Sequence, residues 1–227
     1  MIVRIGIMRK KDGMPAREFH KYWYEMHGPM ASKIPGIINY TQNHVTDSTQ
    51  LGINFARGSI AVDGFSQLWF EDKEKMEKGF SEMAQVLPKD EEKFIGDIKI
   101  IVAMQNVIKP APLDKPLIKR MSILKRRPDI DFETFQYEWN KVHAEHVLSM
   151  PGIEGYTQNL VIDNSIKKEI STEYNDVSID GIVELWFRDI ETLESAFKSP
   201  NGQTTMKHAS TFLEEISTFV VEPHQII

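Results

Sequence analysis

A chain of 227 residues with 41% apolar and 26% charged side chains can fold as one large or two small globular domains around a real core. It contains no cysteine, which excludes disulfides, thiolate metal centres, iron–sulfur clusters and cysteine nucleophiles. A formal net charge of -6 argues against nonspecific nucleic-acid binding, and no apolar run approaches the ~20 residues of a membrane helix. The basic runs at Arg9-Lys10-Lys11 and Lys119 to Arg127 read as solvated strand ends and loops. The N-terminus meets the first of them too early for a secretory segment, so a cytoplasmic location is expected.

In chain order, Arg4 to Met8 reads as a strand. A helix follows from about Ala16 to His27, with Phe19, Trp23 and Met26 on one stripe. Pro15 suits its start, and Gly28-Pro29 is expected to stop or bend it. Pro35-Gly36 turns the chain into a strand over Ile38 to Val45. Thr46 to Ala56 reads as a loop, Gly64 to Phe70 as a third strand, and Glu71 to Leu87 as a helix. A short helix over Asp90 to Asp97 and a strand over Ile98 to Met104 complete the series.

The same series then recurs. At an offset of 116 residues, Arg4 matches Arg120, Phe19 matches Phe135, Trp23 matches Trp139 and His27 matches His143. Pro35-Gly36 matches Pro151-Gly152, and Tyr40-Thr41-Gln42-Asn43 matches Tyr156-Thr157-Gln158-Asn159. One inserted residue later, Asp63-Gly64 and Leu68-Trp69-Phe70 match Asp180-Gly181 and Leu185-Trp186-Phe187; one more aligns Phe94-Ile95 with Phe212-Leu213. Two small gaps over such a span signal a duplication. In the second copy the strands are expected at Arg120 to Leu124, Tyr156 to Ile162, Gly181 to Phe187 and Ser217 to Val221. Its first helix, capped by Asp131, lacks the Gly-Pro stop and is expected to run toward Ser149. Asp163 to Val177 reads as a loop, and Asp189 to Ser199 and Thr204 to Glu215 as helices. The chain divides into a first repeat at 1–108, a Pro-rich linker at 109–116 and a second repeat at 117–227.

Each copy has the order β-α-β-β-α-β, the ferredoxin-like split unit. Helices cover one face of such a sheet, and the other face would be an exposed apolar patch. The economical solution is an α+β fold in which the two repeats pack sheet to sheet as an intramolecular barrel with two related cavities. The C-terminal Pro223 to Ile227 is expected across a sheet edge.

No phosphate loop, GxGxxG, HExxH or GxSxG is present. The duplicated histidines carry more information. His27 and His143 each stand four residues after a tryptophan, at a helix end that can rim a cavity. A neutral imidazole there can exchange a proton near pH 7; it can equally be structural and bond the adjoining turn. Tyr40, Gln42 and His44 share one strand face, as do Tyr156, Gln158 and Leu160. Such a face can orient a carbonyl or enol, or it can be a buried network that fixes the fold. Asn43 and Asn159 point the other way and read as structural. Trp69 and Trp186 read as core residues or as walls of an apolar cavity, with Gln67 and Glu184 beside them. An interior Glu184 is a candidate acid or base in the second cavity. His143 and His146 lack a third metal ligand, so no metal site is expected. His208 and His224 have little support.

The run Phe19-x-x-x-Trp23-x-x-x-His27-x-Pro29, Pro35-Gly36 and Tyr40-x-Gln42-Asn43-His44-Val45, opened by Met8-Arg9-Lys10-Lys11, resembles the EthD family of dimeric α+β barrels. The resemblance covers essentially the whole chain, twice. It implies cofactor-independent isomerases, dehydratases or decarboxylases acting on cyclic carbonyl, enol or lactone compounds, with haem-binding monooxygenases and dye peroxidases as more distant relatives. In its methylmuconolactone isomerase branch the functional histidine and tyrosine fall at the positions of His27 and Tyr40, and the second copy offers His143 and Tyr156. The cysteine that branch also uses has no counterpart here. Ala144-Glu145 for Gly28-Pro29 and Leu160 for His44 make the copies unequal.

The reading that follows is an acid/base enzyme without a cofactor. His27, Tyr40, His143 and Tyr156 are its catalytic residues, and Gln42, His44, Trp69, Gln158, Glu184 and Trp186 contact the substrate. Its rivals are a hydrophobic-ligand binding protein, a haem-binding barrel and a purely structural module. The expected partner is a small hydrophobic metabolite, with neither nucleic acid nor membrane. A further homodimer also stays open: an internal pseudo-dimer removes one reason to associate, while sheet edges can still pair.

Overall fold

The computed structural model describes residues 1–167, 170–171 and 177–227. Alternation decides the strands. In β1 (Ile2–Lys10), Val3, Ile5 and Ile7 turn one way, while Arg4, Gly6 and Met8 turn the other. After β1 come α1 (Ala16–Tyr22), a π turn (Trp23–His27), α2 (Gly28–Ala31), β2 (Asn39–Asp47), β3 (Gly64–Phe70), α3 (Lys73–Met83), α4 (Leu87–Glu91) and β4 (Ile95–Lys109). The second repeat supplies β5 (Ile118–Arg126), α5 (Phe132–Tyr137), a π turn (Glu138–Val142), α6 (His143–Leu148), β6 (Gly155–Lys167), β7 (Ile170–Ser171), β8 (Gly181–Phe187), α7 (Ile190–Lys198), α8 (Pro200–Phe212) and β9 (Leu213–Gln225). Asp72, Asp131, Asp189 and Ser199 cap their helices through side-chain oxygens.

The strand order is β4-β1-β3-β2-β9-β5-β8-β6, and β4 pairs back on β6. Eight antiparallel strands therefore close into a barrel. Its interior is one apolar cluster drawn from both repeats, including Val3, Ile5, Phe65, Ile101, Met121, Ile182 and Phe219. The helices lie outside. Phe19 and Trp23 pack on Met8, Ile98 and Ile100, and Phe135 and Trp139 pack on Leu124, Leu160 and Ile216. The sheet-to-sheet expectation is met. Among the described residues each of the eight barrel strands has two neighbours, and β7 lies beyond them, paired with β6.

The fourth strands are much longer than the sequence predicts, because each serves two partners. β4 pairs with β1 and β6; β9 pairs with β5 and β2, down to Thr41↔Gln225, so the C-terminus does lie along β2. The short helices predicted at 90–97 and 204–215 lie earlier, at Leu87–Glu91 and Pro200–Phe212. Gly28-Pro29 does not end the first helix. The π turn shifts the hydrogen-bond frame, and Pro29 falls in the first turn of α2, where its missing N–H costs nothing. The predicted loop at 163–177 lies partly outside the described residues; its start is strand, and β7 pairs back on it. The loop expected at 46–56 begins after β2, at 48, and runs on through 61, crossing to the second repeat. Gln50 donates to the Ile216 carbonyl, Gly58 N donates to Ser217, and Ile216 N donates to Ala56.

The repeated Asp-Gly pair has a physical cause. A Cβ on Gly64 would stand 2.5 Å from the Trp23 ring, and one on Gly181 would stand 2.4 Å from Trp139. The preceding Asp63 and Asp180 accept the backbone N–H of Lys10 and Arg126.

Candidate functional site

Between the helices and the outer face of the sheet, each repeat holds a small cavity. The first has about 20 Å³ and is walled by Arg4, Trp23, His27, Tyr40 and Glu91, among others. The second has about 40 Å³ and is walled by Arg120, Trp139, His143, Tyr156 and Thr205, among others. These are volumes of one or a few waters, roughly tenfold below the ~300 Å³ at which small-molecule pockets begin.

The two π turns position the histidines. Gly28 N closes the wide turn on the Trp23 carbonyl, and Gln42 Nε2 donates to the same carbonyl at 2.9 Å and to the Tyr40 hydroxyl at 3.0 Å. Trp23 Nε1 also donates to the Tyr40 oxygen, at 3.1 Å. In the second repeat Gln158 Nε2 donates to the Trp139 carbonyl at 2.8 Å and to Tyr156 at 2.6 Å. Burial holds both phenols above the ordinary tyrosine range, only partly offset by these donors. Tyr40, Tyr156, Gln42 and Gln158 therefore meet, as their shared strand face requires, in hydrogen bonds that fix the helix to the sheet.

The histidines differ. His27 Nδ1 lies 2.9 Å from Asp90 Oδ2, and Asp90 also accepts from Tyr22 (2.7 Å) and Lys93 (3.0 Å). Burial works against the Asp90 carboxylate, but these three partners prevail and hold its pKa below the ordinary value. His143 Nδ1 instead lies 3.1 Å from His208 Nδ1, and His208 Nε2 lies 3.1 Å from Glu138. Burial first, and then the proximity of His208 and His146, lowers the His143 pKa to about 3 and keeps the ring neutral. Neither histidine bonds the Pro-Gly turn. His44 stacks on Trp23 and His20, donates from Nε2 to Gln42 Oε1, and is lowered to about 3 by burial and by His20 and His224; it does not line the cavity.

Trp69, Glu184 and Trp186 stand on the opposite face of the sheet, inside the barrel, and do not join His27 or His143. There Glu184 pairs with Lys119 at 2.6 Å and accepts from Gln67 and Asn159, each at 2.6 Å. Lys119 also donates to Asn43 (2.9 Å) and Gln67 (3.2 Å), and Trp69 Nε1 donates to Gln105, which donates to Asn159. Lys119 and Arg120 are buried, which corrects the reading of that basic run as solvated. Alternation carried both side chains off the surface: Lys119 into the barrel, Arg120 under the helices.

Sequence reasoning missed Asp90, His208, the two arginines as cavity walls, and the 48–61 segment. The duplication held a signal for these four side chains, since Arg4 aligns with Arg120 and Asp90 with His208. Among the described residues no three His, Asp or Glu side chains are arranged to hold a metal ion, and no helix is long and apolar enough to cross a membrane.

Comparisons with known proteins agree with this architecture. A crystal structure of an anthrone oxidase-like protein is similar over 99% of this chain and 93% of its own, at 8% identity and a TM-score of 0.66. A provisionally assigned monooxygenase of Lactobacillus acidophilus NCFM is similar over 99% and 94%, at 15% identity and a TM-score of 0.58. A mutant chlorite dismutase of Candidatus Nitrospira defluvii in complex with cyanide is similar over 97% and 90%, at 10% identity and a TM-score of 0.50. At these identities the likeness is one of fold. No curated protein matches the sequence. The EthD domain model matches residues 11–98 and again 127–215, so the chain belongs to the EthD family and carries its domain twice.

Proposed function

We propose that this protein binds a small hydrophobic molecule between helices and sheet. The observation that carries the reading is the repetition of one wall: Arg4, Trp23, His27 and Tyr40 in the first cavity, and Arg120, Trp139, His143 and Tyr156 in the second. Tyrosine and histidine tips amid apolar side chains suit a ligand with a few polar atoms. Ile53 of the 48–61 segment lines the second cavity, so movement of that segment would widen it for a ligand. Val147→Phe fills the second cavity. Titration of the full chain with benzoate and 2-naphthoate, followed by NMR, is expected to perturb Tyr156 and Val183 in the wild type and to leave the folded variant unperturbed. Equal perturbation of both proteins overturns the reading.

A second reading, acid/base catalysis without a cofactor on a cyclic carbonyl, enol or lactone, is favoured by one contact in the first cavity. Asp90 fixes the His27 ring through Nδ1, the arrangement of an oriented general base, and Tyr40 stands in the same wall. His27 would move the proton and Tyr40 would hold the oxygen, with His143 and Tyr156 repeating the pair. Deuterium uptake at the α-carbon of cyclic ketones in heavy water tests it. His27→Ala is expected to abolish uptake and Asp90→Asn to slow it at least tenfold. Unchanged uptake in a folded His27→Ala protein overturns it.

A further inference from the structure

Arg120 leaves β5 on the helix side and is only 3% exposed. Its neighbours are neutral. Nη1 donates to the Leu51 carbonyl at 3.0 Å, Nε reaches Ser122 Oγ at 3.4 Å, and the guanidinium stands 4.5 Å over the Phe197 ring. Among the described residues no carboxylate pairs with it. Burial alone brings its pKa down to about 9. A buried guanidinium offers five donors, and leaving it without a counter-charge is strongly unfavourable.

The first repeat shows what has been taken away. Burial lowers Arg4 to about 10, but Glu91 stands in the same cavity wall and acts in the opposite direction. At the offset of Phe94 from Phe212, Glu91 aligns with Ala209 and Asp90 with His208. The second repeat has kept the arginine and lost both carboxylates near its cavity. The neighbouring His143 is neutral and adds no second cation. Apart from the hydroxyls of Ser122 and Thr205, the remaining wall is largely apolar, with Val147, Met150, Leu185 and Leu213.

We infer that the second cavity takes the carboxylate of a hydrophobic acid, with Arg120 as its counter-ion and the apolar walls around its carbon body. This rests on the ligand-binding reading and names the ligand's class. The fork of a guanidinium matches a carboxylate in two parallel hydrogen bonds. A volume of about 40 Å³ matches the head group alone, and the carbon body takes its space only as the 48–61 segment moves away. The Leu51 carbonyl, which now takes one of the N–H donors, lies on the same segment as Ile53, so entry of the acid and release of that segment are one event.

The test compares benzoate with benzamide and 2-naphthoate with 2-naphthamide by calorimetry on the full chain. Each acid is expected to bind at least tenfold tighter than its amide and to shift the Arg120 Nε resonance. Arg120→Met is expected to bring the acid down to the amide, and Arg120→Lys to keep part of the preference. Equal affinity of acid and amide for the wild type overturns the inference while leaving a ligand cavity in place, as does an undiminished preference in Arg120→Met. Should Arg120→Met not fold, the wild-type ratio and the Nε shift decide alone. Binding of neither partner overturns the inference together with the reading beneath it.

Discussion

The first cavity holds its histidine on a carboxylate, and the second holds its histidine on another histidine. The frame around them is otherwise the same: a tryptophan over a glycine, a π turn, and a glutamine joining that turn to a tyrosine. Duplication has kept the parts that set backbone positions, because a larger residue at Gly64 or Gly181 would displace the tryptophan and the helix with it. Charges have diverged, because each can be met by one or two local partners. The barrel interior teaches the same lesson more sharply. Lys119 stands where the first repeat has Val3, and Glu184 stands where it has Gln67. In two identical chains both substitutions would occur twice, and the contact of Gln67 with Glu184 would become one between two glutamates. A fused chain can place one cation and one anion near the pseudo-twofold axis and pair them.

The largest effect is expected at that pair. Glu184→Gln restores the residue of the first repeat but leaves Lys119 buried without its anion, a loss of ~3–5 kcal/mol in urea unfolding. Adding Lys119→Val is expected to return most of it, because the barrel centre then has the residues of the first repeat on both sides. A double variant no more stable than the single one breaks the comparison.

Acid sensitivity comes next, through one buried histidine in each repeat. His143 has a folded-state pKa of about 3 against ~6.5 for an ordinary histidine. The unfolded chain binds more protons between those values, so the stability is full above pH ~6.5 and falls as the pH drops toward 3. The ceiling of this effect at pH 4 is on the order of 3 kcal/mol. His143→Gln is expected to flatten the decline of stability from pH ~6.5 to 4, and His44→Leu, which installs the counterpart Leu160, to flatten it further. An unchanged slope in both variants would show the rings to be protonated in the fold.

Asp90 acts in a lower window. Its folded pKa lies below the unfolded value near 4, so its contribution is present above that value and disappears as the pH falls through the folded one. Asp90→Asn is expected to cost ~1–3 kcal/mol at neutral pH, since it weakens the bonds from Tyr22, His27 and Lys93. It should leave the chemical shifts of His143 unmoved, and movement there would show that the cavities are coupled. The smallest effect belongs to Lys93→Ala. That lysine is 60% exposed, and its removal is expected to cost under ~1 kcal/mol. A larger loss would mean that the ion pair, rather than Tyr22 and His27, anchors Asp90.

The chain by itself determined the duplication, the order of elements and the barrel, because these rest on local periodicity and on residues repeated at a fixed spacing. Alternation along β2 and β6 was enough to separate Tyr40, Gln42 and His44 from Asn43. It did not say which face meets helices and which meets the other repeat, so Trp69, Glu184 and Trp186 were grouped with a cavity they do not touch. Tertiary structure decided that question, since burial on both faces of a closed sheet leaves no polar face to mark the outside. It also decided the partners. Asp90 lies 63 residues from His27, and His208 lies 65 from His143, in helices whose approach depends on packing rather than on any local signal. Gly28-Pro29 reads as a stop because helix rules are local, and the widened turn that carries the chain past it is held from outside, by the side chain of Gln42 on the sheet. Lys119 and Arg120 read as solvated because charge is normally exposed; closure of the barrel and the crossing of 48–61 over the second repeat buried them.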